Sequence, residues 1–293
     1  MTAPDASSPI LPRKPAEAVT LRIGLEWFLN PDHLALIAIR DGTLAGNPRM
    51  RLVLDEPDDH FDGFVALQQR RCDLVLTEPL HLMEPMAADC EALGCIFETS
   101  GGVLVREDRL GKLRSGEPLR VAAPVCGPLT DRLCRRILQG WAGKQGFAVA
   151  ETQIVIDAAG FRHIENLKAG YDAAWLAFAN IEVIEAAQHG LSVRLVTAEE
   201  AGLPRFSALE LVARKQRSPE EITQHEALIK AIEQAACRLQ ANPEGAVALW
   251  QAASGDSSEA AAAMVQATLP CLKTQIDRRP TRWQALQRML LAP

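Results

Sequence analysis

The chain has 293 residues, with 31 lysines and arginines against 37 aspartates and glutamates, so its formal net charge at pH 7 is −6. This acidic balance argues against a nucleic-acid partner, which would require a basic surface. Hydrophobic residues make up 48% of the chain and charged residues 23%, as in globular proteins. The longest stretch without a charged residue, 260–272, is shorter than the roughly 20 apolar residues that cross a bilayer. No membrane insertion is therefore expected.

The first 18 residues are rich in proline and hold only one pair of bulky aliphatic residues, Ile10 and Leu11. We expect residues 1–18 to form a flexible leader, since they lack the apolar core of a secretory signal. The seven cysteines include no C-x-x-C pair, so neither a disulfide framework nor a metal site is predicted. Together these features predict a cytoplasmic protein, or a periplasmic one if translation starts elsewhere.

Strand-like and helix-like segments then alternate along the chain. In the first part, strands are predicted at 20–24, 50–54, 73–76 and 93–97, and helices at 31–40, 60–70 and 80–88. In the second part, strands are predicted at 119–123, 153–156, 173–178, 193–196 and 208–213, and helices at 129–141, 161–169 and 181–189. Everything after Pro219 is expected to be helical, apart from breaks at 242–243, 255 and 279–280.

This alternation predicts an α/β fold of two lobes around a hinge, each lobe a mostly parallel sheet flanked by helices. Residues 19–104 and 205–293 are expected to form lobe one, with a helical C-terminal tail, and residues 105–204 an inserted lobe two. Ligands of open α/β sheets bind beyond the carboxyl ends of strands, and pockets favour clefts between domains. The loops after the strands are therefore where a site is expected.

The first predicted strand runs into the densest polar and aromatic cluster of the chain, Glu26-Trp27-Phe28-Leu29-Asn30-Pro31-Asp32-His33. Trp27 offers a stacking face, and Asn30 offers an amide that both donates and accepts. Trp27, Asn30 and His33 are candidate ligand-binding residues. The alternative is plain helix chemistry, because proline suits a first helical turn and an aspartate there complements the helix dipole.

Two further loops after strands carry candidate ligand-binding residues, Thr77 and His81 in one and Gly127 in the other. His81 has a near-neutral pKa suited to an acid, a base or a ligand, although a lone helical histidine is often structural. Thr77 would equally serve as a helix cap. Gly127 lies between a strand and a helix, where backbone amides bind anions, but the phosphate-loop pattern is missing.

The segment Leu25-Glu26-Trp27-Phe28-Leu29-Asn30-Pro31-Asp32-His33-Leu34 resembles the NMT1/THI5 family, whose members carry a W-F-x-N-P-D-H-like segment after a strand. Cys72-Asp73-Leu74-Val75-Leu76 and Asp172-Ala173-Ala174-Trp175 are similar to one strand of each lobe in that family. Phe178-Ala179-Asn180-Ile181-Glu182 is similar to an aromatic-x-N-x-E stretch of its bacterial pyrimidine-binding members. The resemblance covers most of residues 20–215.

The resemblance implies the two-lobed fold of type 2 periplasmic binding proteins, closing on a small ring. It places Trp27 and Asn30 of lobe one, and Asn180 and Glu182 of lobe two, toward that ring. His81 falls where fungal pyrimidine synthases carry the histidine that becomes part of their product. Those synthases have a lysine for pyridoxal phosphate four residues earlier, where this chain has Thr77, and a cysteine-rich cluster where it reads Pro204-Arg205-Phe206-Ser207-Ala208.

Two functions stay open on the sequence. One is a non-catalytic protein that binds an aminopyrimidine-like or other small aromatic compound, in thiamine precursor handling or ABC-type uptake. The other is a cytosolic enzyme on the same fold, pyrimidine synthase-like or desulfinase-like. We prefer the binding protein, because the motifs concern the site whereas the leader concerns only location. The expected partners are a small-molecule ligand and, if the protein is exported, an ABC permease. No cofactor, metal or catalytic residue is expected.

Overall fold

A computed structural model describes residues 18–42, 50–57, 62–279 and 281–291. Its strands, in chain order, are β1 (Val19–Leu25), β2 (Met50–Asp55), β3 (Leu74–Thr77), β4 (Cys90–Glu98), β5 (Gly101–Arg106), β6 (Leu119–Ala123), β7 (Ile154–Ala158), β8 (Ala173–Phe178), β9 (Val193–Thr197), β10 (Ala208–Arg214) and β11 (Leu272–Asp277).

Its helices are α1 (Leu34–Arg40), α2 (Gly63–Gln68), α3 (Leu110–Ser115), α4 (Pro128–Lys144), α5 (His163–Lys168), α6 (Glu182–Gln188), α7 (Pro219–Ala241), α8 (Pro243–Ser254), α9 (Glu259–Thr268) and α10 (Gln284–Leu291). None of these described helices combines the length and apolar character that crossing a bilayer requires.

The strands form two sheets, one of six strands in the order β11-β4-β10-β3-β1-β2 and one of five in the order β7-β6-β8-β5-β9. The two-lobed α/β fold is thus confirmed. In the first sheet β1 pairs in parallel with β2 and β3, and in the second sheet β6 pairs in parallel with β7 and β8. The other pairings are antiparallel. The expected mostly parallel sheets are confirmed in strand direction: four of the six strands of the first sheet and four of the five of the second run the same way, and β10, β11 and β5 run against them.

The chain crosses between the sheets at two places before it reaches the C-terminal helices. The first crossing is Thr99 and Ser100, between β4 and β5, and the second lies between β9 and β10. Residues 101–104, expected in lobe one, thus pair within the second sheet. The other expected lobe limits stay predictions.

Each sheet has its own hydrophobic core. The first core packs α1, α7 and α8 on the six-stranded sheet and includes Ile23 and Trp250. The second core contains Trp175 and Phe206, whose ring centroids are 5.3 Å apart. Leu286 and Leu290 of α10 also belong to the second core, although α10 follows a strand of the first sheet. The C-terminal helix therefore ties the two lobes together.

Three of the segments that were predicted as helical have a different structure. Segment 80–88 forms two short 3-10 helices, His81–Met83 and Pro85–Asp89, because Pro85 prevents one continuous helix. In the expected helix at 60–70, the helical part is α2, and residues 58–61 lie outside the described part. Segment 272–277 is a strand where a helix was expected. Its buried residues Leu272 and Ile276 have a spacing that suits a helix, and only the pairing of β11 with β4 decides for a strand.

Gly102 provides a stability test of the first crossing. A Cβ at this position would overlap the carbonyl group of Val196 in the neighbouring strand, and a backbone atom cannot rotate away. We expect Gly102→Ala to lower the free energy of unfolding by about 1 to 3 kcal/mol. Gly111→Ala is the matched control, because Gly111 lies on α3 with open space around it. Chemical denaturation that finds equal stability in the two variants would contradict this close strand approach.

Candidate ligand-binding site

A cleft between the two sheets, called here the interlobe cleft, is lined from both lobes and has a cavity volume of about 80 Å³. Most of its lining residues lie at or after the carboxyl ends of parallel strands or in the first turn of the next helix, and Leu176 lies within β8. The lining residues are Glu26, Trp27, Phe28, Asn30, Glu78, His81, Val125, Thr130, Phe161, Leu176, Phe178, Ile181 and Glu182. Phe28 of lobe one and Phe161 of lobe two meet edge to face, with ring centroids 6.4 Å apart. The strand-end rule thus locates a cavity with an aromatic contact across its two lobes.

His81 is held at the edge of the cleft by two carboxylates. Its Nε2 atom lies 2.6 Å from Glu26 Oε1, and its Nδ1 atom lies 2.7 Å from Glu84 Oε1. Burial alone would lower the pKa of His81, but these carboxylates outweigh it and raise the pKa to about 11. The imidazole is therefore a fixed cation that donates from both nitrogens, and it has no lone pair left for a metal or a proton.

Glu26 organises the loop on which His81 lies. Its second carboxylate oxygen accepts hydrogen bonds from the Thr77 hydroxyl at 2.7 Å and from the Glu78 backbone amide at 2.6 Å. Thr77 is buried. The hydroxyl of Thr77 thus fixes the loops after β1 and β3 to each other, in place of the helix cap that the sequence also suggested.

The carboxyl groups of buried Glu78 and half-buried Glu182 face the cleft from opposite lobes. Burial, with added repulsion from Glu26, raises the pKa of Glu78 to about 8. Burial also raises the pKa of Glu182 to about 7, although the Phe178 backbone amide donates to its carboxylate at 2.7 Å. Burial therefore favours the protonated form of both carboxyl groups near neutral pH.

A buried polar cluster joins the lobes beside the cleft. Asn180 donates its amide nitrogen to Asp32 Oδ1 at 2.7 Å and to Thr268 Oγ1 at 2.9 Å. Burial raises the pKa of Asp32 to about 7, against the lowering effect of the Asn180 hydrogen bond. Asn180 belongs to lobe two, whereas Asp32 precedes α1 and Thr268 ends α9. The cluster therefore fixes the second lobe to two elements of the first.

Four of the eight candidate residues from the sequence line the interlobe cleft together: Trp27, Asn30, His81 and Glu182. Trp27 also packs on the first core. The side chain of Asn30 accepts from the Asp32 amide at 3.0 Å, so its oxygen is engaged in capping the turn while its NH₂ group remains to face a ligand.

The other four candidates lie outside the lining. His33 and Asn180 are buried, and burial lowers the pKa of His33 to about 4, so its ring is neutral. Thr77 lines a neighbouring cavity with Glu26 and His81. Gly127 begins α4, but its amide donates to Asp131 Oδ1 at 3.2 Å and is not free to hold an anion.

Sequence reasoning missed Glu26, Glu78, Phe28 and Phe161 as lining residues. Glu26 and Phe28 belong to the cluster after β1, and Glu78 follows β3, so the strand-end rule alone marks those three. Phe161 follows β7 and was interpreted only as the start of a helix. Its 51% exposed ring is the remaining signal, and that exposure is visible only in the structure.

Three of the solved structures with a similar fold are of ligand-binding proteins. The alkanesulfonate-binding protein SsuA from Xanthomonas axonopodis pv. citri bound to MOPS has a TM-score of 0.65 at 18% identity, with 94% of this chain and 92% of that chain covered. The aliphatic sulphonate binding protein SsuA from Escherichia coli has a TM-score of 0.65 at 16% identity, with 92% and 85% covered. A ligand-binding component of an ABC-type import system from Staphylococcus aureus has a TM-score of 0.66 at 12% identity, with 93% and 90% covered. The fold is that of type 2 periplasmic binding proteins.

The NMT1/THI5-like family model matches residues 130–246. The resemblance to the NMT1/THI5-like family is confirmed. No curated protein sequence matches the chain significantly. The matched segment includes Asn180 and Glu182, whereas Trp27 and Asn30 precede it.

The cleft acids predict a stability that falls between about pH 6.5 and 8.5. A carboxyl group whose pKa is raised on folding stabilises the protein at low pH, and that contribution is lost as pH rises through the folded-state pKa. This applies to Asp32, Glu78 and Glu182, with folded pKa values of about 7, 8 and 7. The raised pKa of His81 acts in the same direction above its ordinary value of 6.5. The lowered pKa of His33 affects the stability only below about pH 6.5.

Thermal unfolding measured across this pH range should therefore show a falling Tm. Each proton by which the folded and unfolded states differ changes the free energy of unfolding by about 1.4 kcal/mol per pH unit. Glu78→Gln removes one such group and should flatten the dependence, whereas Glu244→Gln on the exposed start of α8 should leave it unchanged. A Tm that rises from pH 6.5 to 8.5 would contradict the raised pKa values.

Proposed function

We propose that the protein binds a small aromatic compound in the interlobe cleft, without catalysing its conversion, for delivery to an ABC permease. The observation that supports this most directly is the aromatic lining contributed by both lobes: Trp27, Phe28, Phe161 and Phe178. An aromatic ring placed between such side chains gains stacking and edge contacts on both faces. The Phe28 to Phe161 contact crosses between the lobes, so a ring inserted there would touch both.

We further propose an aminopyrimidine-like ring, and with it a role in handling thiamine precursors. The amide of Asn30 and the carboxyl groups of Glu78 and Glu182 line the same cavity. An aminopyrimidine has amino donors and ring-nitrogen acceptors on one edge, which match a carboxylate and a protonated carboxyl group. The permease and a periplasmic location are supported by two structural neighbours, a ligand-binding component of an ABC-type import system and a periplasmic sulphonate-binding protein.

The enzyme alternative finds less support in the cleft. A synthase or desulfinase route would use His81 as a reactive group, but both nitrogens of its ring donate to carboxylates. A lysine imine is also not available at position 77, because the hydroxyl of Thr77 cannot form one and instead donates to Glu26. Binding without chemistry is therefore the function that this site favours.

The test is to search first for a retained small molecule by native mass spectrometry of the purified protein. Calorimetry then compares benzamide with cyclohexanecarboxamide, which carry the same amide on an aromatic and on a saturated ring, and adds 4-amino-2-methylpyrimidine. We expect benzamide and the aminopyrimidine to bind, and cyclohexanecarboxamide to bind at least roughly fivefold more weakly. Equal binding of the two amides, or binding unaffected by Phe161→Ala, would overturn the aromatic site.

A further inference from the structure

The described residues that line the interlobe cleft include more acidic than basic side chains. Three of its lining residues, Glu26, Glu78 and Glu182, carry carboxyl groups, and no lysine or arginine occurs among the described residues that line it. The single cation is His81, and both of its ring nitrogens already contact carboxylates. A ligand entering the cleft therefore meets carboxyl groups from both lobes and no free cation among these residues.

Glu78 is the carboxyl group in the cleft that is best placed to pair with a ligand. The residue is 5% exposed and lines the cavity. Within the described part of the chain, the hydrogen bonds of Glu78 are made by its backbone amide and carbonyl and not by its carboxyl oxygens. A ligand that supplies a donor would therefore pair with a carboxyl group that the protein itself leaves without a hydrogen bond there.

We propose that the ligand binds as an organic cation and that Glu78 selects it, losing its carboxyl proton to solvent as the cation enters. This inference rests on the proposed function and narrows its ligand to aromatic amidines and amines. The products are an ion pair between the Glu78 carboxylate and the ligand, and one proton in solution. No other covalent bond forms or breaks.

The residues of the interlobe cleft favour a cationic ligand over a neutral or an anionic one. A planar cation is attracted to the faces of Trp27, Phe28 and Phe161, because aromatic rings carry negative charge on their faces. An amidinium group also forms two parallel hydrogen bonds with one carboxylate. An anion would instead approach Glu26 and Glu182 with nothing to pair it. The sulfonates named for two structural neighbours are anions, so the cleft chemistry separates this protein from them in ligand charge.

The groups around Glu78 determine how its proton responds. Glu26 and Asp32 repel its charged form, and His81 favours it. Glu182 lies across the same cleft from lobe two. The pKa of Glu78 is about 8, so its carboxyl group is protonated at pH 7, and an arriving cation favours the carboxylate. Binding at pH 7 should therefore release up to about one proton, and the affinity should rise with pH toward about 8.

Three probes of nearly equal shape test the proposal: benzamidine, which is a cation at pH 7, benzamide, which is neutral, and benzoate, which is an anion. Calorimetry at pH 7 should give an affinity for benzamidine that is roughly ten- to hundredfold above that for benzamide, and no binding of benzoate. The binding enthalpy of benzamidine should differ between phosphate and Tris buffers, because the released proton is taken up by the buffer.

Glu78→Gln should remove both the preference for benzamidine and the proton release, while benzamide binding persists. Glu185→Gln is the matched control, since Glu185 lies on the same helix as Glu182 but not in the cleft lining. Benzamide or benzoate binding as tightly as benzamidine to the unmodified protein would overturn the cation proposal and leave the aromatic site standing. Failure of all three probes to bind would instead count against the proposed function.

Discussion

Arg282→Met should lower the free energy of unfolding by about 3 to 5 kcal/mol, because it leaves the buried carboxyl group of Glu210 without its neighbouring cation and removes one cation from the half-buried Glu98 and Asp277. The side chain of Arg282 is only 11% exposed, and its nitrogens lie 3.0 Å from Glu98 Oε2, 2.7 Å from Asp277 Oδ2 and 3.5 Å from Glu210 Oε1. Glu210 is 1% exposed. A guanidinium group with planar donors satisfies several carboxylates at once, and methionine fills similar space without donating.

Glu210 carries most of this expected cost. Burial raises its pKa to about 7, and the hydrogen bond from Trp283 Nε1 at 2.9 Å, together with the charge of Arg282, opposes that rise. Without Arg282, only the Trp283 bond remains to the side chain of Glu210. The affected strands are β4, β10 and β11, which lie side by side in the first sheet.

Chemical denaturation of Arg279→Met supplies the control for this prediction. Arg279 contacts the same Asp277 carboxylate at 2.6 Å, but its side chain is 76% exposed. An exposed ion pair contributes about 1 kcal/mol or less, so Arg279→Met should be close to the unmodified protein. If both variants lose the same stability, burial of the Arg282 network is not what matters.

Trp27→Ala should weaken the binding of benzamidine or an aminopyrimidine by about 1 to 3 kcal/mol, the range measured when stacking aromatic residues are truncated. Trp27 lines the interlobe cleft and rests on the first core, so its ring is held in place and loses little freedom on binding. Trp27→Phe keeps a ring at the same position and should retain most of the affinity. Titration calorimetry measures both variants against the unmodified protein.

Fluorescence gives an independent readout of Trp27. The ligand-induced change in emission should be present in the unmodified protein and largely absent in Trp27→Phe. Trp141→Phe is the matched control, because Trp141 lies on α4 against Phe147 and outside the cleft lining. An affinity that survives Trp27→Ala would move the ring-binding site away from the end of β1.

The alternation of strands and helices was enough to predict the two-lobed fold, because the spacing of apolar residues in each element reflects burial within one lobe. It failed where long-range pairing decides the structure. No strand was predicted between 97 and 119, yet Gly101 and Gly102 begin β5, where the missing side chains let Ser207 and Val196 approach. Such a strand looks like a turn in sequence, since glycine serves both purposes.

The sequence predicted those site residues that directly follow the end of a strand. Trp27, Asn30 and His81 come directly after β1 and β3, and Glu182 begins the helix after β8. The sequence does not show how close the two lobes lie to each other. The edge contact of Phe28 with Phe161 depends on that distance, and so does the burial that keeps Glu78 protonated.

The C-terminal helix has a consequence for how the lobes move. Besides the crossings after β4 and after β9, the segment between β11 and α10 forms a third connection from the first sheet to the second core. Arg136 of α4 donates to the Met289 carbonyl at 2.9 Å and anchors that connection. Three connections restrain the movement of one lobe relative to the other more than two connections would. Cutting the chain before α10 should therefore loosen the lobes and speed release of the proposed ligand.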